Sequence, residues 1–159
     1  MMKKKITIKK KMDKVNSNIN TNKVDFPKIA FKNAEEWRLF LEKNHNKISG
    51  IWMKIAKKSS GIQSITYAEG LDEALCYGWI DGQRKTFDDK YFLQRFTPRR
   101  KNSNWSEINI NKAKHFIETG KMTPAGQLAF EKSKEQKTIM KTTMKTKKIQ
   151  KRKISIKKK

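Results

Sequence analysis

Apolar residues recur at helical spacing in four segments between residues 33 and 134. The first segment begins at Asn33 and the second at Thr66, where Glu69 completes a capping box. The third follows residues 102–104, and the fourth begins at Thr123, with a proline next to it at the first helical position. The pattern predicts four helices, the second of them ended by Gly78. The expected buried positions of the third and fourth helices are Ile110, Ala113, Ile117, Ala125, Leu128 and Ala129.

Between these helices, apolar and polar residues alternate as they do in strands. Residues 50–56 place Ile51, Met53 and Ile55 on one face, with a tryptophan and a lysine on the other. Residues 79–87 and 91–97 form a predicted hairpin that Pro98 ends, because proline cannot donate to a ladder. If the first strand lies beside residues 79–87, the helix between them is a crossover. We therefore predict an α+β fold in which a small sheet, including this hairpin, is packed by about four helices.

The charge divides the chain into three parts. Residues 1–32 hold 10 lysines and two aspartates, and residues 132–159 hold 13 basic residues and one glutamate. Residues 33–131 carry a net charge of only +4, although the whole chain carries +24. We therefore predict a disordered basic tail over residues 1–25, a domain over residues 26–134 and a basic low-complexity tail over residues 135–159.

Several classes of protein do not fit this sequence. Its one cysteine cannot form a disulfide within the chain, which suits a reducing compartment. The basic start has only Ile6-Thr7-Ile8 as an apolar run, far short of a secretory signal, and no segment approaches the length of a membrane helix. We expect a cytoplasmic protein without a membrane span.

Four short sequence words carry a family resemblance. They are EALCYGWIDG at 73–82, RFTPR at 95–99, SNWS at 103–106 followed by Asn109, and GKMTPAG at 120–126. In this order they resemble the YdeI/OmpD-associated family, a group often labelled bacteriocin-protection proteins, over about residues 26–134. The resemblance implies a small α+β protein associated with tolerance of bacteriocins or cationic peptides, with no catalytic residue to carry over. After Lys134 a lysine-, threonine- and methionine-rich tail replaces the further helical segment of that family.

A group of arginines, tryptophans and one carboxylate forms the predicted site. Guanidinium groups bind carboxylate or phosphate through two parallel hydrogen bonds, and tryptophan rings stack on a ligand or on the guanidinium itself. Arg95 and Arg99 flank the turn at Pro98, which predicts that both reach over the end of the strand. The alternative is an ion pair of Asp81 with Arg84 or Arg95 that pins the hairpin, with both tryptophans in the core. The predicted ligand-binding residues are Trp79, Asp81, Arg84, Arg95, Arg99 and Trp105.

Other reactive residues give weaker signals. Cys76 is either a nucleophile or a small core residue, and its apolar neighbours favour the core. The two histidines and the cysteine lack metal-ligand spacing, and no glycine-rich phosphate loop is present, so we predict neither metal nor cofactor.

Three functions remain compatible with these observations. The first is a stress- or bacteriocin-tolerance protein that binds an anionic small molecule or an acidic partner through its arginines. The second is a nucleic-acid-binding protein that acts through its lysine-rich tails, which as solvated tails would also bind polyanions nonspecifically. The third is an enzyme that acts on a phosphorylated or carboxylated small molecule, although no complete catalytic constellation is visible.

Overall fold

The computed structural model describes residues 25–156, and this part of the chain has an α+β fold with four helices and a four-stranded sheet. The strands are β1 (Lys28–Ala30), β2 (Ile51–Ala56), β3 (Trp79–Thr86) and β4 (Tyr91–Pro98). The helices are α1 (Ala34–Asn44), α2 (Tyr67–Cys76), α3 (Glu107–Glu118) and α4 (Pro124–Ile156), and a short 3₁₀ turn covers Lys58–Ser60. The predicted fold class is confirmed. The tail predicted over residues 1–25 falls almost wholly outside the described residues.

The predicted caps are present at both early helices. The Asn33 side chain accepts a hydrogen bond from the Glu36 backbone at 2.9 Å, and Thr66 and Glu69 form the reciprocal capping box. Gly78 follows α2 with a φ of 72°, a left-handed conformation that favours glycine. These local signals determine where α1 and α2 begin and where α2 ends.

The order of the strands differs from the crossover considered from the sequence. The sheet order is β1-β2-β4-β3, so β4 lies between β2 and β3 and pairs antiparallel with both. β2 and β3 therefore run in the same direction without touching, while β1 pairs parallel with β2. β4 takes the central place because it carries buried Leu93 and Phe96, whereas residues 82–86 of β3 are exposed and suit an edge.

The two faces of the sheet have different surroundings. Ile51, Met53 and Ile55 point toward the helices, as predicted, and join a core in which Trp37 donates a hydrogen bond to the Gly70 carbonyl at 3.0 Å. α3 and α4 pack against α2 and against each other. Trp52 is buried on the opposite face, outside this core cluster. We call that opposite face the second sheet face; register and alternation assign to it Lys28, Ala30, Trp52, Lys54, Ala56, Ile80, Lys85, Tyr91, Leu93, Arg95 and Thr97.

The buried positions of the last two helices are partly different from the prediction. In α3, Ala113 is buried as expected, but Phe116 is buried beside it and Ile117 is 36% exposed. In α4, Phe130 is buried against Trp105 while Leu128 is 52% exposed. One residue along a helix is a rotation of about 100°, so a small error in the expected stripe exchanges an inner position for an outer one.

The segment that we predicted to be a basic low-complexity tail, residues 135–159, is helical as far as Ile156, the last described residue. α4 continues to Ile156, and no glycine or proline follows Gly126 to end it. Four threonine hydroxyls, those of Thr138, Thr142, Thr143 and Thr146, each donate to the carbonyl four residues earlier at 2.9–3.1 Å. The helix thus continues through residues 135–156 although its apolar residues Ile139, Met140, Met144 and Ile149 are exposed.

Within residues 25–156 no helix combines the length and the apolar character needed to cross a bilayer.

Candidate functional site

Trp79 belongs to the core and not to a ligand site. Its side chain is 1% exposed, and its indole N–H donates to the His45 carbonyl at 3.1 Å. The ring also meets the Trp37 ring edge-on at 6.0 Å. This placement matches the alternative in which the tryptophan supports the fold.

Asp81 and Arg95 line one cleft, although the ladder assigns them to opposite faces of the sheet. The cleft has a volume of about 730 Å³ and lies where β3 and β4 meet the loop that follows β4. That loop adds two further cations, Arg100 and Lys101, so three cations and one carboxylate line the cleft. We call it the Arg95 cleft; its remaining lining residues are Ile80, Gly82, Thr97, Pro98, Asn102 and Ser103.

The Arg95 side chain lies against the backbone of the neighbouring strand. A Cβ atom at Gly82 would come within 2.9 Å of Arg95 Nε, so the glycine makes room for the guanidinium. The ladder is irregular between Asp81 and Arg84, which places Gly82 in a bulge. Arg95 Nε is buried and has no hydrogen-bond partner among the described residues. A buried donor of this kind costs about 1–3 kcal/mol unless an acceptor reaches it.

Asp81 makes a hydrogen bond and not the ion pair considered from the sequence. Its carboxylate accepts from the Tyr67 hydroxyl at 2.7 Å, and no lysine or arginine of the described chain lies within 4.0 Å of it. Burial, and then the bond to Asp81, raises the pKa of Tyr67 to about 12. Asp81 therefore leaves Arg84 and Arg95 without a directly bonded carboxylate.

Arg84 lies on the helix-facing side of the sheet and not with Arg95. It is opposite Gln94 in the ladder, and its guanidinium stacks on the Phe92 ring at 3.7 Å. It lines a second cleft of about 550 Å³ together with Tyr67 and the residues that precede α2. Arg84 and Arg95, both of them predicted ligand-binding residues, therefore lie on opposite sides of the sheet.

Arg99 and Trp105 form a separate pair. The Arg99 guanidinium stacks over the Trp105 ring at 3.7 Å and donates to the Ser103 hydroxyl at 3.2 Å. Burial lowers the pKa of Arg99 to about 10, against the opposing effect of Asp81. Arg99 lines a small cleft beside α4, of about 170 Å³, so Arg95 and Arg99 do not share one cleft. The turn after Pro98 directs Arg99 toward α4 and brings Arg100 into the Arg95 cleft.

Sequence reasoning missed four contributors to this region: Tyr67, Gly82, Arg100 and Lys101. The run of basic residues from Arg99 to Lys101 indicates a cationic loop in the sequence. Which of these side chains line the Arg95 cleft could be seen only in the structure. Gly82 had a signal in the glycine inside a strand pattern, which often marks a bulge or a close approach. Nothing in the sequence indicated that Tyr67, from α2, would meet Asp81.

Cys76 occupies a core position, as its flanks indicated. It is fully buried, and burial followed by the nearby Glu73 carboxylate raises the pKa of the thiol to about 11. Glu73 itself is bonded to Arg38 at 3.1 Å and to Lys121 at 2.7 Å, which ties α1, α2 and the approach to α4 together. A buried thiol with a raised pKa is a poor nucleophile. Across residues 25–156, no three metal-binding side chains come together.

No curated protein and no solved structure matches this sequence. A family described as "Domain of unknown function (DUF8412)" matches residues 29–129, which is more than half of the chain and includes the Arg95 cleft and all of the sheet except Lys28. The chain therefore belongs to the DUF8412 family.

Proposed function

We propose that this protein binds an anion, a carboxylate or phosphate group of a small molecule or of an acidic partner, in the Arg95 cleft. The observation that carries the proposal is Arg95, which lines an open cleft and whose buried Nε lacks a hydrogen-bond partner in the described chain. Arginine presents its N–H groups as a planar fork, so an oxyanion that reaches Nε also meets a terminal nitrogen.

The charges around the cleft support an anion over a cation. Arg100 and Lys101 line the cleft beside Arg95, whereas Asp81 is the one carboxylate among its lining residues and is already bonded to Tyr67. Loop and strand-edge hydroxyls from Thr97 and Ser103 add donors for a second oxygen. The cations therefore outnumber the acceptors available to them.

The biological role that we propose follows the family resemblance. A cytoplasmic protein of the YdeI/OmpD-associated type would act in tolerance of bacteriocins or other stress, with the bound anion as its ligand or as part of its partner. This role rests on the resemblance of the four sequence words and not on the geometry of the cleft. The anion-binding step rests on the geometry and stands without the role.

Thermal unfolding with simple anions tests the binding step. Inorganic phosphate, pyrophosphate and citrate are added at constant ionic strength, so that general screening does not change. At an anion concentration about 100-fold above Kd, the expected stabilisation is about 2.7 kcal/mol, or a rise of roughly 5–10 °C in Tm. At least one of the three anions should give a saturable rise.

Three variants locate the binding. Arg95→Gln should abolish the rise, whereas Arg84→Gln removes the same charge on the opposite side of the sheet and should leave it intact. Gly82→Ala keeps every charge but places a Cβ at 2.9 Å from Arg95 Nε, so it should weaken the rise by displacing the guanidinium. An equal rise in wild type and Arg95→Gln, or no rise with any anion, would contradict the proposal.

A further inference from the structure

Aromatic rings and cations alternate across the second sheet face. Lys54 Nζ lies 4.9 Å from the centre of the Phe87 ring and 4.5 Å from that of Tyr91. Lys85 Nζ lies 4.7 Å from the Trp52 ring, and the Arg95 guanidinium lies 5.9 Å from it. Phe87 is 42% exposed and Tyr91 is half-buried, so both offer ring surface, while Trp52 forms the floor beneath the cations.

Each of the four strands contributes one cation to this face: Lys28, Lys54, Arg95 and Lys85 in sheet order. The positions assigned to the face in these four strands include no aspartate or glutamate. Adjacent strands lie about 4.8 Å apart, so the four cations form a band roughly 14 Å wide. Arg95 is the link between this band and the cleft of the proposed function, where Arg100 and Lys101 extend it.

The geometry points to a single-stranded nucleic acid as the ligand of this surface, with a phosphate in the Arg95 cleft and bases stacked on Tyr91 and Phe87. This inference rests on the proposed function, because the same Arg95 holds the phosphate. Four-stranded sheets whose aromatic side chains stack bases are a recurrent surface for single-stranded RNA, and cationic grooves with aromatic platforms bind single strands without regard to sequence.

A single strand fits better than a duplex. The faces of the bases are accessible only when the strands are apart, and stacking is the interaction that exposed rings can offer. A small anion would satisfy Arg95 and the loop cations, but it would not use the rings or the cations of the other strands. Lys141, Lys145 and Lys148 of α4 follow Phe130, the last aromatic residue of the sequence, and therefore provide the natural control.

Fluorescence anisotropy with a labelled oligothymidylate of about ten nucleotides is the test, since single-strand sites occupy roughly 4–16 nucleotides. The matched probe is an abasic strand with the same number of phosphates. Two triple variants each remove three positive charges. The face variant combines Lys54→Gln, Lys85→Gln and Arg95→Gln, and the helix variant combines Lys141→Gln, Lys145→Gln and Lys148→Gln. The ring variant Tyr91→Leu with Phe87→Leu removes stacking and keeps the charge and the apolar bulk.

We expect the abasic strand and the ring variant each to bind at least about tenfold more weakly, because stacking contributes roughly 1–3 kcal/mol per base. The face variant should bind more weakly than the helix variant, and its salt slope should fall by about 0.7 for each lost contact. The helix variant should still bind the thymidylate more tightly than the abasic strand. A DNA duplex of equal length should not displace the labelled thymidylate from the second sheet face.

Two results would overturn the inference, and they separate it from the proposed function. In the first, the thymidylate and the abasic strand bind equally well and the face variant loses affinity for both. That result would be compatible with anion binding at Arg95 but would contradict the stacking of bases on Tyr91 and Phe87. In the second, the helix variant loses affinity for the thymidylate while the face and ring variants bind it as wild type does. That result would assign polyanion binding to α4 alone. Failure of the proposed function would be seen independently, as the absence of any Arg95-dependent stabilisation by small anions.

Discussion

Arg95 and Arg99 are four residues apart, yet their guanidinium groups have different surroundings. Arg95 rests on Gly82 beside an open cleft, whereas Arg99 is stacked on Trp105 beneath α4. The sequence indicated which residue types gather at the end of β4, because the turn at Pro98 and the run of basic residues are visible there. It did not indicate which arginine would be covered, because that depends on where α4 packs after Thr123.

The stacked position of Arg99 predicts a structural effect on substitution. Arg99→Ala should reduce the free energy of unfolding by about 1–2 kcal/mol, because the guanidinium and its stem cover the Trp105 ring. Urea unfolding followed by tryptophan fluorescence measures the change. The neighbouring Arg100 is exposed, so Arg100→Ala should stay within about 0.5 kcal/mol of wild type. Equal effects in the two variants would show that the stacking has no consequence for stability.

The Tyr67–Asp81 hydrogen bond predicts a late tyrosine titration. The pKa of Tyr67 is raised from 10.0 to about 12, so the folded protein holds this proton after the unfolded chain has lost it. The stability that this contributes is present in full below about pH 10 and is lost as the pH rises through about 12. The difference in tyrosinate absorbance between wild type and Tyr67→Phe isolates this group. Asp81→Asn should move its midpoint down, and an unchanged midpoint would contradict the assigned bond.

Among the secondary-structure elements, those with strong local signals were predicted well. The capping residues Asn33 and Thr66, the glycine after α2 and the hairpin turn all act within a few residues, so the sequence shows them directly. The position of β4 between β2 and β3 depends on which of the two hairpin strands buries more apolar surface. The alternation of apolar and polar residues in β3 and β4 does not show which of them is the central strand. The extension of α4 was not predicted, because the lysine-rich composition of residues 135–159 was interpreted as a low-complexity tail.

The contact between α2 and α4 predicts that Gly126 cannot be replaced. A Cβ atom there would overlap the Cys76 carbonyl and would lie 2.5 Å from the Met122 sulfur, so backbone would have to move. Gly126→Ala should therefore cost more than about 2 kcal/mol of unfolding free energy, although alanine favours helices. Leu128→Ala, at an exposed position of the same helix, is the control and should cost much less. A neutral or stabilising Gly126→Ala would show that the helices are further apart.

We expect the part of α4 beyond residue 134 to add helical structure without stabilising the domain. Phe130 and Ser133 are the last residues of α4 with buried side chains in the described part, and Ile139, Met140 and Met144 are 64–67% exposed. A chain that ends at residue 134 should lose far-ultraviolet helical signal and keep its Tm within a few degrees of wild type, because every residue beyond 134 whose burial the structure describes is exposed. A fall of much more than that would mean that the outer helix packs on the domain.

For the whole molecule, the position of charge on the surface matters more than the total. The chain carries +24, and most of that lies outside residues 33–131. The sequence showed this division, and on that basis we predicted a site at the arginines of the hairpin and not in the tails. It could not show that the second sheet face carries one cation from each strand, because that arrangement depends on the strand order β1-β2-β4-β3.

The most direct test observes Arg95 itself while an anion is added. Arginine Nε–H signals in a nitrogen-15 correlation spectrum are assigned with the Arg95→Lys variant, which lacks the signal. Titration with pyrophosphate at constant ionic strength should shift the Arg95 Nε–H signal saturably and slow its exchange with solvent, because a buried donor gains an acceptor. The Arg84 signal should change little. An Arg95 signal that stays in place throughout the titration would contradict an anion site in this cleft.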